Sequence, residues 1–372
     1  MKKKYWLKLA YKWRVFLYFL HGHSVKGLMT AGKPCQVEDP TVSVTFGDVI
    51  HPCVRYIEEG FEGHKWWMVY TPYYGGNDKI ENPRLCYADA DNEPPTNWKF
   101  YCTIKDTPEC GYNSDPTLLF FNEKLYVFWR ECNTPKTREI GCGAATFGCY
   151  VKEKSVVYIS VPQLVNLFSK NKGVEDNEVC PTIIKRNGKF YGYSMHHNFV
   201  PNFIYNIPSK IGSLLYKYHI FFILDALFGY KDLKNIGISI WVSSSLEHSF
   251  CYLKTIKIKN ISRLYQPWHM DIFMSNDKYD NRLYAVIQSS IEFADICFAW
   301  SDDGELFNIY SPPLITTDSI GLAGIYKPSA LLVGKKLYVY YTARDSNNNH
   351  LNRLFVTEID WCNIIGKLGV NP

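Results

Sequence analysis

The sequence predicts an all-β fold, a five-bladed β-propeller, from three observations. Five segments repeat one plan: a polar residue with a proline usually close by, a short strand, a turn and an aromatic strand. In three of them the proline precedes the central tyrosine by ten residues, at Pro116 and Tyr126, Pro181 and Tyr191, and Pro328 and Tyr338. Aromatic residues, which favour strands and also stack on sugars, make up 16% of the 372 residues.

The first unit runs His51-Pro52-Cys53-Val54-Arg55-Tyr56, with Lys65 to Tyr70 behind it. The second joins Asn113 to Phe120 with Lys124 to Trp129. The third joins Glu178 to Ile184 with Lys189 to Tyr193 through Asn187-Gly188, a dipeptide that accepts positive φ. The fourth joins Trp268 to Phe273 with Arg282 to Ile287, and the fifth Tyr326 to Leu332 with Lys336 to Tyr341. Units start roughly 60 to 90 residues apart, leaving room for two outer strands each, among them Ile238 to Ser243 and Ile296 to Trp300. A β-sandwich with similar hairpins is the competing architecture, and the regular proline-to-tyrosine spacing argues against it.

Residues 1–45 precede the repeat as a basic, aromatic extension, residues 46–372 form the propeller, and a helical insertion is expected at about 200–236 between the third and fourth units. Lys8, Lys12 and Arg14 interrupt the first apolar stretch, so a secretory signal is not expected. Leu214 to Leu224 is too short to span a bilayer. Residues 1–27 suit an amphipathic helix lying on an anionic membrane or packed on the propeller's flank. The net charge of +5 has its signs interleaved, which excludes a nucleic-acid footprint. Twelve cysteines show no paired C-x-x-C spacing, so reduced, buried thiols are expected, with Cys142 and Cys149 the one pair to test for a bridge.

His51-Pro52, then Gly63 to Tyr73, Glu81-Asn82-Pro83, Asn113 to Pro116 and Trp268-His269-Met270-Asp271 together resemble uncharacterised propellers of the glycoside hydrolase family 43-like clan. The resemblance covers roughly residues 46 to 360. Several such proteins are associated with phages and bacterial surface polysaccharides, which implies a cytoplasmic or virion-associated protein with an oligo- or polysaccharide partner. In the clan, acidic residues on the innermost strands of the first three blades build a catalytic site at one end of the channel. By that resemblance Asp115 matches the second-blade aspartate that tunes the acid, and Glu178 resembles the third-blade glutamate that protonates the leaving group. The first blade departs from the pattern, with His51 where the clan carries aspartate.

Glycoside cleavage needs a protonated carboxyl to donate and a second carboxylate to activate water or attack. Asp271 and His51 are the candidates for the missing base, and His269 is an alternative acid. Trp67, Tyr73 and Trp268 would be sugar platforms if exposed at the mouth. Glu81, Asn82, Arg130, Glu131, Lys327 and Arg344 are the candidate polar contacts, although a buried ion pair between blades explains Arg130 and Glu131 equally well. The resemblance allows a channel calcium or sodium ion, but no oxygen-rich loop is present, so no cofactor and no required metal are expected. Three functions follow: a glycosidase, a non-catalytic carbohydrate-binding propeller, or a membrane-peripheral protein of polysaccharide assembly.

Overall fold

The computed structural model describes residues 34–37, 48–90, 93–108, 111–132, 145–153, 163–165, 178–196, 237–246, 248, 250–259, 267–275, 277, 280–289, 295–310, 313–316, 320–344 and 352–368. Its strands form five sheets. A short strand β1 (Cys35–Gln36) precedes the first blade, which is built from β2 (Val49–Phe61), β3 (His64–Pro72), β4 (Arg84–Ala88) and β5 (Lys99–Thr103). The second blade holds β6 (Tyr112–Phe121), β7 (Lys124–Cys132), β8 (Ala145–Glu153) and β9 (Gln163–Val165). The third holds β10 (Glu178–Arg186), β11 (Lys189–His196), β12 (Gly237–Ser243) and β13 (Cys251–Ile256). In the fourth, β14 (Ile258–Lys259) pairs in parallel with the outermost of β15 (Pro267–Met274), β16 (Leu283–Ser289), β17 (Asp295–Ser301) and β18 (Phe307–Ile309). The fifth contains β19 (Ala323–Val333), β20 (Lys336–Arg344) and β21 (Asn352–Asp360), and its outer strand is β1. Apart from the β14 contact, neighbouring strands within each blade run antiparallel.

The blades close into a ring because five apolar clusters fill the spaces between them, one per junction. Trp67 packs with Leu118 and Leu125 between blades one and two; Tyr126 and Phe128 meet Phe190 and Trp241 between two and three. Val179 and Met195 meet Met270 and Ala285 between three and four. Phe273 and Tyr284 join Leu337 and Tyr341 between four and five, where α1 (Trp361–Lys367) adds Trp361. Trp66 and Tyr338 close the ring between five and one. Both faces of a blade are therefore buried, and neighbouring residues such as Trp66 and Trp67 serve opposite junctions.

Residues 1–27, the expected insertion at 200–236 and Cys142 lie outside the described residues. Cys149 and the eight other cysteines whose side chains are described are free thiols. No helix among the described residues is long and apolar enough to cross a membrane.

Candidate functional site

The innermost strands aim one residue each at the channel near their starts, and an unusual backbone sets the aim. His51, Asp115, Cys180 and Lys327 each precede a proline, and each has a positive φ, between 30° and 57°. Among the described residues eight non-glycine residues have positive φ; the other four sit in hairpin turns. At all four proline sites the ladder shifts register, between Ile50 and Cys53, Ser114 and Thr117, Val179 and Thr182, and Tyr326 and Ser329. Proline has no N–H to lose at such a bulge, and the bulge re-aims the residue before it. The fourth blade shifts between Pro267 and His269 without the positive φ, and His269 takes the corresponding place.

The five residues form an upper ring, buried throughout. Two positions further along the strands lies a second ring of Cys53, Thr117, Thr182, Asp271 and Ser329, facing Val69, Phe128, Tyr193, Val286 and Tyr340 of the second strands.

The upper ring is a contact cluster. The Asp115 Oδ1 atom lies 3.4 Å from His51 Nε2, 3.6 Å from His269 Nδ1 and 3.8 Å from Cys180 Sγ. Cys180 Sγ is 2.8 Å from His269 Nδ1. His51 Nδ1 lies 2.9 Å from Thr71 Oγ1, whose hydroxyl donates to the Ile50 carbonyl. In the tautomer with the proton on Nδ1, His51 donates to Thr71 Oγ1 and turns the Nε2 lone pair toward the Asp115 carboxylate. The Tyr326 hydroxyl also reaches Nε2, at 3.3 Å. One ligand atom from each of His51, Asp115 and His269 lies within 4.8 Å of the others, so three metal-ligating side chains converge. In that tautomer a cation or a proton fits between the two acceptors, and His and carboxylate donors suit a borderline divalent metal.

Burial lowers the His51 imidazole to about 3, so it stays neutral. Burial also disfavours the charge of Asp115, but its positive neighbours, Lys327 and Arg130 among them, outweigh it and hold the carboxyl below its usual range. Arg130 Nη1 stands 3.8 Å from Asp115 Oδ2, and the buried Lys327 ammonium donates to the Pro116 carbonyl at 2.8 Å. Glu81 reaches the cluster from the loop between β3 and β4, with Oε2 3.5 Å from His51 Nδ1. Burial, then Asp115 and Asp78, push its carboxyl well above the ordinary value. Buried Glu81 Oε2, Glu131 Oε2 and Asn113 Oδ1 have no hydrogen-bond partner among the described residues.

His51, Asp115, His269, Glu81, Arg130 and Lys327 are thus brought together. Asn82 receives a bond from Asn113 Nδ2 at 3.3 Å, beside Thr107. Trp268 is partly buried, with its ring 6.1 Å from that of His269. Tyr73 is partly buried, its hydroxyl pushed up to about 12 by burial, Asp78 and Glu81, while Arg344 is exposed and donates to Asn352.

Two assignments change. Trp67 offers no ring to a sugar, because it is enclosed between the first two blades. Asp271 is no free base: it lies in the lower ring and accepts from Arg55 Nη1 and Nη2, Ser329, Thr182 and the Ala330 N–H. In the third blade the position matching His51 and Asp115 belongs to Cys180. Glu178 lies two residues earlier on β10, its backbone opposite His196; its side chain is outside the description. Cys180, Thr71 and Tyr326 escaped the sequence reading. The residue-before-proline pattern shared with His51, Asp115 and Lys327 was the available signal for Cys180.

Structures of carbohydrate-active enzymes share this fold. The N-acetylgalactosamine deacetylase from F. plautii, in complex with blood group B trisaccharide, aligns with a TM-score of 0.64 and 14% identity over 91% of this chain and 98% of that one. The GH43_1 enzyme from Xanthomonas citri, complexed with xylotriose, aligns at 0.54 and 11%, over 90% and 92%. The xylan β-1,4-xylosidase from Bacillus halodurans C-125 aligns at 0.57 and 12%, over 86% of this chain and 54% of that one. No protein-family model matches the sequence, and no curated protein does. The chain has the five-bladed propeller fold of family 43-type glycoside hydrolases.

Proposed function

We propose that this chain is a carbohydrate-active hydrolase that holds a divalent cation between His51, Asp115 and His269 and uses it to remove an acyl substituent from a sugar. The observation that carries the reading is the convergence of three buried ligand side chains, from three different blades, at one end of the channel. A cation there would supply Lewis acidity toward an acyl carbonyl and generate a nucleophile from water at neutral pH. Thr71 orients His51 through Nδ1, as second-shell partners of ligating histidines do. Glu81, kept protonated by burial, carries a proton toward the leaving group, and the Tyr326 hydroxyl, whose pKa burial raises well above its ordinary value, remains a donor for developing negative charge. The fold shared with an N-acetylgalactosamine deacetylase supports an N-acylated amino sugar as substrate.

Glycoside hydrolysis is the second reading. Glu81 and Asp115 flank His51, and their surroundings push the two carboxyls apart, one protonated and one ionised, as an acid and a base require. Against it, Asp115 is the one carboxylate of the upper ring among the described side chains, and Asp271 is committed to Arg55. Incubating the metal-stripped and zinc-reloaded protein with N-acetylated oligosaccharides, and measuring free acetate and new reducing ends, separates the readings. Acetate release dependent on metal and lost in Asp115→Asn supports the first. Reducing ends without metal dependence support the second, and neither product leaves a binding propeller.

A further inference from the structure

We infer that Cys180 is a fourth donor to the cation, which makes the site selective for a thiophilic ion of the zinc class over magnesium, calcium or manganese. The inference rests on the metal reading above and extends it to the identity of the ion. Its basis is position. Cys180 occupies in the third blade the place that His51 and Asp115 occupy in the first two, with the same positive φ, the same following proline and the same register shift. Its side chain is therefore aimed into the ring, between Asp115 and His269 in blade order.

Measured from Asp115 Oδ1 the separations approach those of a coordination shell, whereas Cys180 and His269 stand closer than bound ligands do. A tetrahedral zinc-class ion, with bonds of about 2.0–2.1 Å to nitrogen or oxygen and about 2.3 Å to sulfur, sets its ligand atoms about 3.3–3.6 Å apart. Asp115 Oδ1 lies 3.4, 3.6 and 3.8 Å from His51 Nε2, His269 Nδ1 and Cys180 Sγ. The nitrogen of His269 that faces Asp115 is the same one that Cys180 touches, at 2.8 Å. That contact is a hydrogen bond whose donor depends on the His269 tautomer. An ion bound at Nδ1 must displace it, parting nitrogen and sulfur by about 0.8 Å and releasing one proton to solvent as the thiol becomes a thiolate ligand. Thiolate favours zinc and its relatives, whereas a shell of carboxylate and carbonyl oxygens would suit magnesium or calcium. With four protein donors, water or substrate enters by expansion to five-coordination.

Cobalt(II) tests this directly. The ion is titrated into the metal-stripped full chain in which Cys35, Cys251 and Cys362, the exposed thiols among the described residues, and Cys110, Cys132 and Cys142 are serine, so that these thiols do not contribute. The expected spectrum has visible ligand-field bands and a near-ultraviolet sulfur-to-cobalt charge-transfer band. Cys180→Ser keeps the visible bands, loses the charge-transfer band, and reduces the preference for zinc over manganese, measured by competition, at least tenfold. Visible bands without charge transfer in the parent, or charge transfer that survives Cys180→Ser, overturn the role of Cys180 and leave the three-ligand site standing. Absence of all bands overturns both the cation site and this inference. Circular dichroism checks each variant, and Cys180→Ala carries the comparison if the serine variant unfolds.

Discussion

Replacing Asp271 by alanine removes the acceptor of five hydrogen bonds in the lower ring, at 2.9 and 2.8 Å from Arg55, 2.8 Å from Ser329, 3.0 Å from the Ala330 amide and 3.3 Å from Thr182. These donors come from blades one, three and five, so the carboxylate ties four blades together. Breaking a buried pair from one side costs about 3–5 kcal/mol, because the remaining charge is left uncompensated. Arg55 keeps its bond to the Val54 carbonyl and its side chain is 18% exposed, which places the loss near the lower end, about 3 kcal/mol. Urea unfolding at neutral pH measures the loss. The double variant Asp271→Leu with Arg55→Met removes both charges and should recover most of it. Burial works to raise the Asp271 carboxyl, but Arg55, Ser329 and Ala330 outweigh it and hold the pKa below 3.8. The stabilisation is therefore complete above 3.8 and lost as pH falls through the lower folded value, a step the double variant lacks. A loss under about 1 kcal/mol for Asp271→Ala, or a double variant no more stable than the single one, refutes the clamp.

Thr71→Val removes the acceptor that orients His51, and should weaken cobalt affinity about 10- to 100-fold in a chelator competition while leaving the fold intact; unchanged affinity would exclude Thr71 from positioning the ligand. Between 4.5 and the raised value of Glu81, the folded chain keeps a proton that the unfolded chain has released, so stability falls as pH rises across that window. Glu81→Gln should flatten that part of the pH–stability curve, and an unaltered slope would mean that Glu81 is ionised in the native protein. Deleting residues 1–37 removes β1 and buried Val37, and should cost at least about 1.5–3 kcal/mol by thermal or urea unfolding, with no loss counting against closure by β1.

The hairpins were legible in the sequence because proline, turn and aromatic strand recur in a fixed order. Exposure was not. In a propeller both faces of a blade are covered by its neighbours, so Trp66 and Trp67 are both enclosed, and strand alternation reports which junction a residue serves instead of which residue meets solvent. Depth along the channel was equally hidden: His269 and Asp271 share one face of β15, two residues apart, and only the assembled ring separates a ligand position from a clamp. The cluster of His51, Asp115 and His269 left no motif, because its members are spread over three blades and come together only when the ring closes.

That closure has a consequence for synthesis. The fifth blade borrows its outer strand from residues 35 and 36, which pair with Val356 and Phe355. On the ribosome this early strand must wait without a partner while four blades are made, because its one neighbour is β21. The growing chain therefore carries an open β edge throughout translation, a template for wrong pairing that ends only when β21 is released.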